Sequence, residues 1–183
     1  MDSLLRLLKE RSFSRREVIL ASGLRSNFFI DCKQSVLSAE GHLLVAKAFW
    51  GKLSEQESFP DAIAGVALGG CSLASAVATY SAMQERPVDA LYVRKAAKDH
   101  GSQRLIEGHD RLPSGAKVVV LEDVVTTGGS TMAAIGILKE AGLKVEQVIA
   151  LVDRQEGGAE AIRDSGLKFS AIYTQEDFMG PSK

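Results

Sequence analysis

The feature that most restricts the fold is a set of short runs that are apolar on both faces. Val118-Val119-Val120-Leu121 has no polar position, and Ala62 to Leu68 has none either. An extended strand shows alternate side chains to opposite faces, so such runs need cover on both sides. Leu91-Tyr92-Val93, Val145 to Val152 and Phe169 to Tyr173 read as further strands. Between the strands lie helical stretches: Leu73 to Met83, rich in small residues; Ser130 to Glu140, closed by Gly142; and the short Ala159 to Asp164. Strands alternating with helices predict an α/β fold, a parallel-sheet core with flanking helices and right-handed crossovers.

The opening third follows another pattern. Leu4, Leu5, Leu7 and Leu8 predict a short amphipathic helix. Val18-Ile19-Leu20, Ala21-Ser22-Gly23 and Phe28-Phe29-Ile30-Asp31 read as strand, turn, strand. Ser38 is placed to cap a helix whose apolar face is Leu43, Leu44, Ala48 and Phe49. We read residues 1–58 as a small N-terminal hood segment and 59–175 as the core, within one domain spanning 1–183.

Charge and cysteine content narrow the partners. The formal net charge is −1, so no global basic field draws nucleic acid. An anionic ligand must then be held by a local cluster of donors. The two cysteines, Cys32 and Cys71, have no CxxC partner and no His at metal-ligand spacing, which suits a reduced intracellular protein. The segment Met1 to Glu10 mixes charges with leucines and does not read as a secretory signal. No run approaches the roughly 18 apolar residues of a spanning helix. The expectation is a cytoplasmic protein with neither membrane nor nucleic acid as partner.

The densest chemical signal is Val118-Val119-Val120-Leu121-Glu122-Asp123-Val124-Val125-Thr126-Thr127-Gly128-Gly129-Ser130. A buried strand runs into two carboxylates, then a hydroxyl- and glycine-rich turn, then a helix. Ligands of open parallel sheets bind beyond the carboxyl ends of strands. Gly128 and Gly129 let backbone N–H groups approach a phosphate, Thr126, Thr127 and Ser130 add hydroxyls, and the helix start adds free N–H groups. No Gly-Lys-Ser/Thr follows, so the turn is not a Walker loop. Two carboxylates beside a phosphate cradle repel the anion and need a reason. Accepting hydrogen bonds from ribose hydroxyls, and favouring a sugar that gains positive charge, are two.

This segment resembles the signature for 5-phosphoribosyl-1-pyrophosphate (PRPP) in the type I phosphoribosyltransferases. The resemblance implies that fold, with a small N-terminal hood and a long flexible catalytic loop. It also implies a PRPP site comprising Glu122, Asp123, Val124, Val125, Thr126, Thr127, Gly128, Gly129 and Ser130. Glu122 and Asp123 would hold the ribose hydroxyls, and Thr126 to Ser130 the 5-phosphate. Mg²⁺ would arrive on PRPP, with no direct protein ligand.

A second stretch narrows the family. About 20 polar residues separate the strand ending near Lys95 from the one starting near Lys117, a length more typical of a functional lid than of a plain connection. Arg94, Lys95, Lys98 and His100 put four cationic or potentially cationic groups within seven residues. Such donors suit the negative charge that builds on a leaving pyrophosphate. Arg94 to Gly108, RKAAKDHGSQRLIEG, resembles the catalytic loop of orotate phosphoribosyltransferases. The resemblance implies catalytic roles for Lys98, Asp99 and His100, and PRPP contacts from Arg94, Lys95, Lys98 and His100. It further implies a homodimer in which loop residues 94–108 complete the neighbour's site.

For the base, Arg154 follows Leu151-Val152-Asp153 at another edge of the sheet. Its planar fork suits a carboxylate or a carbonyl. The family pattern gives Arg154 and Thr126 to orotate, and the segment Ala21 to Asp31 to a base-covering wall. Ala67-Leu68-Gly69-Gly70-Cys71-Ser72 resembles the pyrophosphate loop. Many bacterial members carry Lys where this chain has Ala21, and Lys near Gly69, so pyrophosphate binding differs here in detail. The reading is an orotate phosphoribosyltransferase. The alternatives are a phosphoribosyltransferase for another nucleobase and a non-catalytic PRPP-sensing regulator.

Overall fold

The computed structural model describes residues 2–19, 25–56, 58–94 and 104–180. The hood begins with α1 (Ser3–Arg11), whose first N–H groups are capped by Asp2, the Leu4 amide donating to Asp2 Oδ1 at 2.8 Å. Four two-residue strands follow: β1 (Phe13–Ser14), β2 (Val18–Ile19), β3 (Arg25–Ser26) and β4 (Phe29–Ile30). Then come α2 (Lys33–Val36) and α3 (Ala39–Ser54), the latter capped by Ser38 as its sequence indicates.

The core alternates β5 (Ala62–Val66), α4 (Gly69–Met83), β6 (Asp89–Val93), β7 (Ile106–Glu107), β8 (Lys117–Val125), α5 (Gly129–Glu140), β9 (Lys144–Asp153), α6 (Gly158–Asp164) and β10 (Lys168–Thr174). A 3₁₀ turn at His109–Arg111 precedes β8, and α7 (Gln175–Met179) closes the chain. The sheet order is β10-β9-β8-β5-β6-β7, parallel except for the β6–β7 pair. From β5 the chain steps to one side for β6 and later returns to the other side for β8. The strand order therefore reverses between β5 and β8, which opens a crevice beyond their carboxyl ends.

The alternation along β8 sorts the core into two layers. Val119 and Leu121 join the cluster that contains Leu4, Leu8, Phe28, Phe49, Leu73 and Val77, from the hood and α4. Val118 and Val120 join the cluster with Ala134, Leu138 and Ile162, from α5 and α6. The hood thus shares a core with one face of the sheet. Its fastening is aromatic: the Phe28 ring lies 5.2 Å from Phe13 and 5.7 Å from Phe178 between centroids.

Several expectations change in detail. Val18–Ile19 pairs with Arg25–Ser26, while Phe29–Ile30 pairs with Phe13–Ser14, so the expected single hairpin is two small ladders. Strands of two residues are too short for a period-two signal to fix partners. The buried face of α3 is Val45, Ala46, Phe49 and Leu53, and Leu43 is 47% exposed. The first core strand stops at Val66 rather than Leu68, because α4 already starts at Gly69. The long polar connection is shortened by β7, which folds back on β6. α7 was not anticipated, although Thr174 and Asp177 form a capping box there.

Candidate active site

Four adjacent parallel strands, β9, β8, β5 and β6, end on the same side of the sheet. Their carboxyl ends carry Arg154, the Glu122–Asp123 pair, the Gly69–Gly70 start of α4 and Arg94. Residues distant in sequence converge because parallel strands bring all their carboxyl ends to one edge.

β8 extends through both carboxylates to Val125. Its alternation sends Glu122 and Asp123 to opposite faces. Glu122 is buried and accepts a hydrogen bond from Thr131 Oγ1 of α5 at 3.0 Å. Asp123 leans towards the start of α4, so close that a Cβ built on Gly69 would collide with its carboxylate. Asp123 Oδ1 also accepts from the Val124 amide at 3.0 Å. The side chain of Val125 lies in the core, and its carbonyl accepts from the Arg154 amide at 2.9 Å.

The turn after β8 presents hydroxyls and a helix start of the kind that suit an anion. Thr127, Gly129 and Ser130 are exposed and Thr126 half-buried. Gly128 adopts φ +79°, a left-handed conformation that costs glycine little, and no side chain among the described residues caps α5 behind it. The cradle rests on Gly158, where an added Cβ would meet the Thr126 carbonyl at 2.6 Å and the Gly128 nitrogen at 2.9 Å. The Gly158 amide donates to that same carbonyl at 3.0 Å. On the β6 side, Arg94 and Ser130 line one cavity of about 150 Å³. Arg94 donates to Glu107 at 3.4 Å, and its amide donates to the Leu105 carbonyl at 2.8 Å.

On the hood side, the Arg154 guanidinium donates to Ser26 Oγ at 3.1 Å and to the Phe28 carbonyl at 3.2 Å, and pairs with Glu156 at 2.8 Å. Its carbon lies 5.4 Å from the Phe28 ring centroid. Its Nε is buried with no hydrogen-bond partner among the described residues. A guanidinium pre-oriented by the hood suits a planar anionic ligand.

The two thiols bracket the site. Burial pushes the Cys32 thiol well up, helped by Asp123 and Asp31. Burial, then Glu122, pushes up the Cys71 thiol.

The structure therefore gathers Arg94, Glu122 to Ser130 and Arg154 around one crevice. Lys95, Lys98, Asp99 and His100, together with Ala21, lie outside the described residues. Sequence reasoning missed Thr131, Gly158 and Glu156, and reached Ser26 only as part of the segment Ala21 to Asp31. The Gly157-Gly158 pair shortly after Arg154 was the one available signal. The other three are recognisable only by what they touch.

Residues 36–168 match the phosphoribosyl transferase domain family, and the chain belongs to that family. It is 57% identical to the orotate phosphoribosyltransferase of Sorangium cellulosum, over 97% of this chain and 92% of the relative. Crystal structures of Mycobacterium tuberculosis orotate phosphoribosyltransferase superpose on it. The Fe(III) dicitrate complex does so with TM-score 0.80 and 32% identity, covering 96% of each chain. The complex with PRPP does so with TM-score 0.77 and 28% identity, again over 96% of each. Within its family the chain falls among the orotate phosphoribosyltransferases.

Proposed function

We propose that the chain joins orotate to PRPP, giving orotidine 5′-monophosphate and pyrophosphate, a step of pyrimidine synthesis. The observation that carries this is the crevice at the strand-order reversal. There an uncapped, glycine-built helix start sits beside two carboxylates, and a guanidinium held by the hood stands across from them.

Each group then has a task. Backbone N–H groups of Thr127 to Ser130 and the hydroxyls of Thr126, Thr127 and Ser130 hold the 5-phosphate. Glu122 and Asp123 accept from the ribose hydroxyls and favour positive charge on the ring. Val124 and Val125 shape the floor. Arg154 and Thr126 orient orotate, with the half-buried Phe29 as its wall. A ring nitrogen of orotate attacks the anomeric carbon, a C–N bond forms, the C–O bond to pyrophosphate breaks with its electron pair leaving on oxygen, and the ring N–H proton passes to a pyrophosphate oxygen. Arg94, Lys95, Lys98 and His100 meet that growing charge, with Asp99 as an orienting partner. Arg94 does so from this chain's own crevice, beside Ser130; the segment between β6 and β7 acts from a neighbouring subunit of a homodimer, covers the reacting atoms and excludes water.

Among the described residues no three His, Cys, Asp or Glu side chains converge as a metal cage. The carboxylates at the end of β8 offer oxygen donors only, which fits a hard cation carried by the substrate. Mg²⁺, bound to PRPP, would offset the pyrophosphate charge near Asp123. We assign the protein to the cytoplasm; no described helix is long and apolar enough to cross a membrane. The test is chromatographic detection of orotidine 5′-monophosphate and pyrophosphate in equal amounts. Pyrophosphate with free ribose 5-phosphate instead would refute base transfer.

A further inference from the structure

Arg154 stands just past the end of β9 with its side chain only 11% exposed. Its Nη2 carries two hydrogens, and the hood takes both, through Ser26 Oγ at 3.1 Å and the Phe28 carbonyl at 3.2 Å. Both acceptors are neutral. Nε is buried without a hydrogen-bond partner among the described residues. A cation so placed has given up most of its water and needs an opposite charge. Glu156 supplies it: Oε1 lies 2.8 Å from Nη2, and the Glu156 side chain is 24% exposed. With both Nη2 hydrogens engaged, Glu156 adds charge rather than a third hydrogen bond.

The backbone between the two partners is specially shaped. Gln155 has φ +56°, and only one other non-glycine among the described residues, Glu85, has a positive φ. An L residue adopts that left-handed region at a cost. The Gln155 amide donates to Oδ1 of the buried Asp153 at 2.9 Å, which holds the turn. The turn carries the Glu156 carboxylate onto the guanidinium of the residue two before it.

We propose that Glu156 is a positioning residue for the base: its charge keeps the Arg154 guanidinium seated on the hood in the empty crevice, so that it already stands in place when the base arrives. This rests on the reading of Arg154 as the partner of orotate. Glu156 also repels an incoming carboxylate, but it is partly exposed and that repulsion is screened. An uncompensated guanidinium this deeply placed would instead leave the hood for water. Positioning therefore outweighs repulsion, and losing the charge weakens binding of the base.

The test compares Glu156→Gln and Glu156→Asp in the full-length protein, with Glu156→Gln also made in an Arg154→Ala background. Removing the charge should raise the KM for orotate about tenfold, between what exposed and fully buried pairs contribute. The effect falls on that KM more than on kcat, and the KM for PRPP holds. The Asp variant keeps the charge and recovers part of the loss. In the Arg154→Ala background Glu156→Gln should add no more than about twofold, because Glu156 acts through the guanidinium. A second readout needs no base: hydrogen exchange over residues 25–30 should be faster in Glu156→Gln than in the parent, as Arg154 loosens its hold on Ser26 and Phe28. An unchanged or lowered KM for orotate in Glu156→Gln overturns the proposal. An equal rise in both backgrounds overturns it too, as does unchanged exchange over 25–30. A parent protein that turns over no orotate would refute the substrate assignment instead, and the exchange measurement would still decide the role of Glu156.

Discussion

Replacing Thr131 by Val keeps the shape of the side chain and removes one hydroxyl. That hydroxyl is almost inaccessible, with the residue 1% exposed, and it donates at 3.0 Å to Glu122, itself 5% exposed. A hydrogen bond to a charged group contributes about 1.5–3 kcal/mol. Thr131→Val should therefore destabilise the fold by about 2 kcal/mol. For a chain of this size that lowers Tm by roughly 4–8 °C. Thr131→Ser keeps the donor and loses one methyl, so it should cost no more than about 1 kcal/mol. Glu122 also loses its orientation in the Val variant, and the KM for PRPP should rise several-fold while the KM for orotate holds. Urea denaturation at pH 7 with steady-state kinetics on the three proteins measures both effects. A Val variant within about 0.5 kcal/mol of the parent, or a Ser variant worse than Val, would refute the claim that this bond holds the carboxylate.

Other perturbations reach the site from different sides. Gly158→Ala places a methyl against Thr126 and Gly128; overpacking of about 1–3 kcal/mol and a raised KM for PRPP are expected, read by thermal melting and kinetics. Arg154→Ala should raise the KM for orotate on the order of 100-fold with little change for PRPP, as expected when a charged hydrogen-bonding group is lost. Lys98→Ala should lower kcat by about 10² while PRPP affinity changes little, and an unchanged kcat would remove the loop's catalytic role. Because the Cys71 pKa is raised, its thiolate fraction at pH 7.5 lies below that of a free cysteine. Iodoacetamide should label Cys71 slowly and faster as pH rises, and label buried Cys32 only on unfolding.

The sheet and its connecting helices were legible because doubly buried strands leave uninterrupted apolar runs. Val118 to Leu121 could be placed without knowing its neighbours. The cradle was legible for a related reason: strand, carboxylates, glycines and helix follow one another within thirteen residues, so spacing alone implies geometry. The hood was less so. Its strands are two residues long, and Phe28 is set by packing on Phe13 and Phe178, far apart in sequence. Leu43 was assigned to the wrong face of α3 because the helix packs on both the hood and α4 and carries little polarity between them. Thr131 and Ser26 could not be singled out by type, since an isolated Thr or Ser is common on any surface. Each gains meaning only from a contact that the fold creates.

The central claim is the identity of the accepting base. Purified protein mixed with PRPP and Mg²⁺ should deplete the absorbance of orotate, with no reaction of uracil or adenine in parallel, as expected if Arg154 pairs with the carboxylate that only orotate carries. Turnover of uracil or adenine in place of orotate, or PRPP binding with no turnover of any base, would contradict the account.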